Sequence, residues 1–253
     1  MALFFAAGRW GCGSGIYDYA AMARRILHSC LHKGEKPGTG RPMWDPENHL
    51  IKFITECDFT DPSYHLPHFY TLFSLWADEA DRPFWAEAAR ASRAFLHKAC
   101  HPVTGLCAEY SLYDGTPHNR SDRDQRHDLY YSDAYRTIAN MALDYAWFGA
   151  DPWQAENAER LQNFLRDAVR PHKRHLGDRW HTAARGGLHP VAITATNARR
   201  AWRRAAPTPR FACAVSGTRP CGMAHAAITT TACTSLPCWP SAADTAFGRC
   251  KAF

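Results

Sequence analysis

Tyr131-Ser132-Asp133-Ala134-Tyr135-Arg136 and Asp61-Pro62-Ser63-Tyr64-His65-Leu66-Pro67 each open an aromatic-rich run with helical spacing. After the second of these, Leu66 to Ala80 is apolar around most of its circumference, as a helix covered on nearly every side would be. Asp81 then caps a run from Arg82 to Cys100 whose apolar residues keep to one stripe. The pattern repeats: Asp133 to Trp147 is apolar nearly all round, and the Asp151-capped run Pro152 to Val169 is one-sided. Earlier, Ile16 to Leu31 reads as an amphipathic helix stopped by Gly34, and residues 1 to 10 as the last turns of a helix without a capping residue, the start of a cut chain. Alternating all-apolar and one-sided helices, each pair preceded by an irregular loop, predict an all-α fold in which one ring of helices sits inside another. That is an α/α toroid.

Between helices the chain makes excursions. Met43 to Phe53 carries a turn at Pro46 to Asn48 and reads as a short hairpin. Leu106 to Pro117 reads as an extended segment, and residues 118 to 128 are almost wholly polar. Gly11-Cys12-Gly13-Ser14-Gly15 follows a helix and lacks the Lys-Ser/Thr ending of a phosphate loop, so it reads as a turn.

Charge divides the chain. Up to Arg170 there are 18 basic and 22 acidic residues, a net of −4; from Pro171 there are 12 basic residues against Asp178 and Asp244, a net of +10. A basic tail raises the question of nucleic acid, but none is expected here, for the reason given below. No apolar run approaches a membrane span. Five cysteines, Cys12, Cys30, Cys57, Cys100 and Cys107, are dispersed through the first 170 residues without a Cys-x-x-Cys pair, and the opening residues lack a basic leader. They read as buried reduced thiols of a cytoplasmic protein.

Asp133 and Arg136 stand three apart, which on a helix places carboxylate and guanidinium on one face. Around them the loops supply Tyr64, His65, His68, Trp44, Tyr110 and Tyr131, the side chains that stack on sugar rings and read hydroxyls. Glycoside hydrolysis needs two carboxyl groups, an acid for the leaving oxygen and, in inverting enzymes, a base that activates water. One persuasive carboxylate is present, Asp133. Other chemistries fit less well: His97 and His101 have the i, i+4 spacing of a zinc helix but no Glu between them and no third ligand, so neither metal nor other cofactor is expected. There is no Gly-x-Ser-x-Gly elbow, and Asp128 lies in a charge run of the kind that faces water.

These residues, together with Met1-Ala2-Leu3-Phe4-Phe5-Ala6-Ala7-Gly8-Arg9-Trp10-Gly11, His101-Pro102-Val103-Thr104-Gly105-Leu106, Tyr113-Asp114-Gly115-Thr116-Pro117 and Leu188-His189-Pro190-Val191, resemble glycoside hydrolase family 8. Within it the wording is nearest to the reducing-end xylose-releasing exo-oligoxylanases, over residues 1 to about 170 and again over 188 to 199. The resemblance implies an (α/α)6 barrel, here incomplete, an inverting mechanism, an oligosaccharide substrate and no metal. It makes Asp133 the general base, Arg136 its arginine and Tyr64 a tyrosine near the cleaved sugar. Leu188-His189-Pro190 becomes the wall beyond the reducing-end sugar, so His189 joins the substrate-binding candidates with Arg136, Tyr64, His65, Trp44 and Tyr131.

The resemblance also places the general acid, a Glu, and a second Asp before Met1. A chain with the base and no acid is expected to be nearly inert, because the leaving alcohol departs unprotonated. The alternatives are a catalytically dead carbohydrate-binding remnant, an endoglucanase or chitosanase specificity, or an open helical ring too apolar to be stable. The domain reading is a partial glycosidase domain over 1–170 and an atypical tail over 171–253. Residues 172–187 and those from about 200 do not resemble the family. Codons permitted for Lys173 to Gly187 and for Ala227 to Arg249, regrouped by one base, spell family-like segments, the second ending in a stop. A shifted reading frame then accounts for the tail's arginines and cysteines without a nucleic-acid partner.

Overall fold

The computed structural model describes residues 1–120 and 126–168. The tail over 171–253, with His189 and the proposed frameshift, lies outside them. The described chain is built from six α-helices: α1 (Ala2–Trp10), α2 (Tyr19–His32), α3 (Pro67–Trp76), α4 (Arg82–Ala99), α5 (Tyr135–Phe148) and α6 (Trp153–Ala168). Each even-numbered helix packs against the odd-numbered helix before it, and α3 also packs against α5. Aromatic contacts extend that inner layer to α1: Phe4 meets Phe73 at 6.2 Å between ring centroids, and Phe5 meets Trp147 at 6.2 Å. The described residues thus form a partial α/α barrel, with α1, α3 and α5 in one layer and α2, α4 and α6 in the other.

Sequence explains the layers. In α4 the buried residues Trp85, Ala88, Ala89, Ser92, Phe95, Leu96 and Ala99 recur at three- and four-residue intervals, so one stripe faces inward. Trp85 is fully buried and anchors a cluster with Phe4, Trp44, Tyr70 and Phe73; a second cluster joins Phe95 and Leu96 to Ile138, Met141, Ala158 and Leu161. Among the large apolar side chains left more than half exposed are Trp10, Ile16, Tyr17, Ile26 and Leu75.

The layers are also tied by charge. Asp144, fully buried in the otherwise apolar face of α5, receives Arg93 of α4 at 2.7 and 2.8 Å and the Gln154 amide of α6 at 2.7 Å. Arg93 in turn reaches Thr71 of α3 at 3.1 Å. One network therefore links four helices.

Three details depart from the sequence reading. α3 ends at Trp76 instead of continuing to Ala80. Its last carbonyls are taken by guanidinium groups, Trp76 by Arg24 and Ala77 by Arg82, each at 3.1 Å, which satisfies the helix end without another turn. Asp81 precedes α4 but makes no side-chain cap bond; its carboxylate points to His28 and His32. The early cysteines are not uniformly buried: all five thiols are free, Cys100 and Cys107 are buried, and Cys12 is exposed.

The excursions behave as expected. Asp45 and Leu50 close the hairpin with a 2.9 Å backbone bond, and Trp44 bridges Ile51 in antiparallel fashion. Gly105 turns at φ +72°, with its Cα so close to α6 that a Cβ would stand 2.7 Å from the Asn157 carbonyl oxygen. No described helix is long and apolar enough to cross a membrane.

Candidate active site

The two segments that opened the sequence reading meet in space. Each is a 3₁₀ turn ahead of an inner helix, Pro62–Tyr64 before α3 and Ser132–Ala134 before α5. Asp61 caps the first turn, accepting the Ser63 N–H at 2.7 Å. The turn is held from two sides: Asn140 of α5 donates to the Ser63 carbonyl at 2.8 Å, and the Tyr70 hydroxyl donates to the Tyr64 carbonyl at 2.8 Å. Pro62 and Pro67 stiffen both ends of the segment.

Asp133 leaves the second turn partly exposed and pairs through Oδ1 with Arg136 at 2.8 Å, one helical turn on. The residue before it, Ser132, has φ +39°, a left-handed conformation that a non-glycine residue holds only when its surroundings fix it. Those surroundings are visible: Ser132 hydrogen-bonds Glu109 through its side chain, and Glu109 is fixed by His127 at 2.8 Å. The His127 ring lies on Tyr110, 4.4 Å between centroids and 17° from parallel. Glu109, His127 and Ser132 therefore set the backbone that presents Asp133.

The cluster is rich in carboxylates. Burial pushes the Asp61 pKa up to about 7, against the Ser63 hydrogen bonds, with Glu109 and Asp133 adding to the rise. Burial also raises Glu109, and His127 opposes it. Tyr64 is raised first by burial and then by Asp61, Asp133 and Glu109, with Arg136 acting the other way. Arg136 keeps its charge: burial disfavours it, and Tyr135 and Asp133 outweigh that cost. A half-buried tyrosine, a paired aspartate and a cation thus stand together at one end of the inner helices, beside the stacked rings of Phe53 and Tyr64, 5.8 Å apart. Tyr131 is partly buried, its ring 6.2 Å from His127.

Two candidates fall outside this cluster. His65 is fully buried, with Nε2 on Thr60 and Nδ1 on Ser92, both at 2.9 Å, and its ring 4.4 Å from Phe95. Burial pushes its pKa down to about 3. It is a neutral strut between α3 and α4 and not a sugar ligand. Trp44 is likewise buried, its ring edge-on to Tyr70 and Trp85 at 5.6 and 5.0 Å, so it offers no open face for stacking. His189 lies outside the described residues. Asp61 and Glu109 are the residues the sequence reading passed over. Asp61 heads the quoted segment, but nothing local shows that its carboxylate is buried; Glu109 lies in an extended stretch with no periodicity to mark it.

The zinc spacing of His97 and His101 leads nowhere, because His97 pairs with Asp151 at 2.8 Å while Nδ1 of His101 accepts turn amides of Val103 and Thr104. Asp128 pairs with Arg126 through both carboxylate oxygens, at 2.9 and 2.8 Å. The metal-capable group among the described residues is elsewhere: His28, His32 and Asp81.

No family model matches the chain. Among curated proteins it is similar to the reducing-end xylose-releasing exo-oligoxylanase Rex8A of Paenibacillus barcinonensis, 57% identical over 202 residues, which are 78% of this chain and 52% of that protein. Endoglucanase 2 of Ruminiclostridium josui is 29% identical over 175 residues, 68% of this chain and 34% of that protein. Among solved structures, Rex8A of P. barcinonensis complexed with xylose superposes with a TM-score of 0.76 at 46% identity, over 92% of this chain and 61% of that one. The chain spans about half the length of the curated relatives it matches first.

Proposed function

Since the chain is a relative of the glycoside hydrolase family 8 exo-oligoxylanases, we propose that its described residues form the base side of an inverting site for β-1,4-linked xylo-oligosaccharides. The observation that carries this reading is the meeting of the two 3₁₀ turns, which brings Asp133, Arg136 and Tyr64 together at the N-terminal ends of α3 and α5.

Asp133 is the general base. Arg136 holds Oδ1 and orients the carboxylate, leaving Oδ2 to take a proton from water as the oxygen attacks the anomeric carbon. Arg136 and Tyr64 also face the sugar as hydrogen-bond partners, and Tyr131 lines the same end. Inverting geometry needs the acid on the opposite side of the bond, about 6.5–9.5 Å from the base, to leave room for that water. The described residues supply the base side of such a site, so the 253-residue chain is expected to hold xylotriose through Arg136, Tyr64 and Tyr131. Specificity for xylan over cellulose follows the 57% identity to an exo-oligoxylanase against 29% to an endoglucanase. The thiols of Cys100 and Cys107, which face each other across an antiparallel bridge without forming a disulfide, fit a reducing, cytoplasmic setting.

Calorimetry with xylotriose, run beside a reducing-sugar assay, tests the proposal. Binding that Arg136→Ala weakens supports it, and xylotriose that does not bind, or binds Arg136→Ala equally well, contradicts it.

A further inference from the structure

His28 and His32 lie one helical turn apart on α2, with their rings stacked at 4.1 Å between centroids. Both face the carboxylate of Asp81, which is buried at the start of α4: His28 Nδ1 is 3.4 Å from Oδ2, and His32 Nε2 is 2.7 Å from Oδ1. The other nitrogen of His32, Nδ1, is held by Glu35. An aspartate in the capping position of α4 has thus given up the helix amides for two imidazoles on another helix.

We propose that His28, His32 and Asp81 form a site for a single divalent transition-metal ion, with zinc as the best-fitting member of that class, clamping α2 to the start of α4. The three ligand atoms lie within 4.8 Å of one another. In a tetrahedral zinc site with bonds of about 2.0–2.1 Å, neighbouring ligand atoms stand about 3.3 Å apart. The His28–Asp81 separation of 3.4 Å already matches. The 2.7 Å from His32 runs to the other carboxylate oxygen, Oδ1, and is that of a hydrogen bond in which a proton occupies the line the ion would replace, so on metal entry the carboxylate turns one oxygen toward both rings or offers both oxygens to the ion.

The donor set narrows the ion. Two imidazole nitrogens and one carboxylate oxygen suit zinc, cobalt, nickel or copper, whereas calcium and magnesium prefer oxygen ligands alone. Histidines at i and i+4 on a helix are the spacing by which one helix face grips such an ion. Glu35 on Nδ1 of His32 is the outer carboxylate that fixes the tautomer and aims Nε2 at a metal. The fourth position faces outward, where His28 is more than half exposed and water completes the shell. This site shares no residue with the Asp133 cluster, so its role is to fasten helices and not to take part in sugar cleavage.

The competing description is a metal-free hydrogen-bond network of two histidines on one carboxylate. The two are separated with the full 253-residue chain, stripped by chelator and titrated with Zn²⁺ by calorimetry and with Co²⁺ by visible absorption. The proposal expects one ion per chain bound at this site, a cobalt spectrum of tetrahedral intensity, and a melting temperature that rises with Zn²⁺. His28→Ala, at an exposed position that leaves the metal-free melt unchanged, weakens binding by tenfold or more and removes the Zn²⁺-dependent rise. Glu35→Gln weakens it by about 10–100-fold. Absence of uptake overturns the proposal, and so does uptake by His28→Ala or Asp81→Asn equal to that of the parent, which would place the ion elsewhere on the chain.

Discussion

Replacing Asp61 by Asn is the perturbation whose size follows most directly from the structure. Asp61 is 2% exposed, and its pKa is pushed from 3.8 to about 7, chiefly by burial. Between those values the folded chain holds a proton that the unfolded chain has released. Raising the pH through that window therefore costs stability: the contribution is fully present below about pH 4 and is lost as pH passes 7. A rise of about three units, at about 1.36 kcal/mol each, amounts to about 4 kcal/mol. Asn cannot ionise, yet its side-chain oxygen still accepts the Ser63 N–H that Asp61 now takes at 2.7 Å. Urea unfolding of parent and Asp61→Asn at a series of pH values from about 4 to about 8 should show the variant gaining about 4 kcal/mol on the parent across the range. Glu109 has a raised pKa of the same sign and is present in both proteins; its charge is one of the smaller causes of the Asp61 rise, so the difference reports mainly the burial of Asp61. Parallel stability curves would refute the reasoning, for they would mean that Asp61 ionises as easily in the fold as outside it.

Other substitutions test other joints. Asp144→Ala leaves Arg93 half-caged among four helices without its partner, and should cost about 3–5 kcal/mol in the same urea assay. Gly105→Ala forces a Cβ to within 2.7 Å of the Asn157 carbonyl oxygen at φ +72°, and calorimetric melting should show a loss of at least about 1 kcal/mol. Tyr64→Phe should weaken xylotriose binding by about 0.5–1.5 kcal/mol, the worth of one neutral hydrogen bond. Trp44→Phe, at a buried ring, should lower the melting temperature and leave the affinity for xylotriose alone.

The helices were legible because their two kinds differ in circumference. α4 and α6 carry apolar stripes, whereas α3 and α5 are apolar nearly all round, and that contrast needs no partner to be read. What stayed hidden depends on pairing across long separations. Asp144 is tolerable in α5 only because α4 and α6 bring Arg93 and Gln154 to it. Asp81 carries every local mark of a cap, and only the fold shows His28 and His32 outcompeting the amides of α4. His65 follows Tyr64 directly, so adjacency suggested a shared role; the 3₁₀ turn sends the two side chains apart, one to the cluster and one into the core. Asp133 and Arg136 were readable because their pairing is local, a single helical turn. Glu109 was not, because its partners Ser132 and His127 come from a different stretch of chain.

The central claim is that Asp133 takes a proton from water attacking a sugar's anomeric carbon. β-Xylobiosyl fluoride tests it without the general acid, because fluoride leaves without being protonated first. The 253-residue chain should release fluoride from it and give the α-anomer of xylobiose as first product, observed by proton NMR, and Asp133→Asn should slow that release by about 10²–10⁴-fold. Fluoride release that Asp133→Asn leaves unchanged, or a first product of β configuration, would contradict the account.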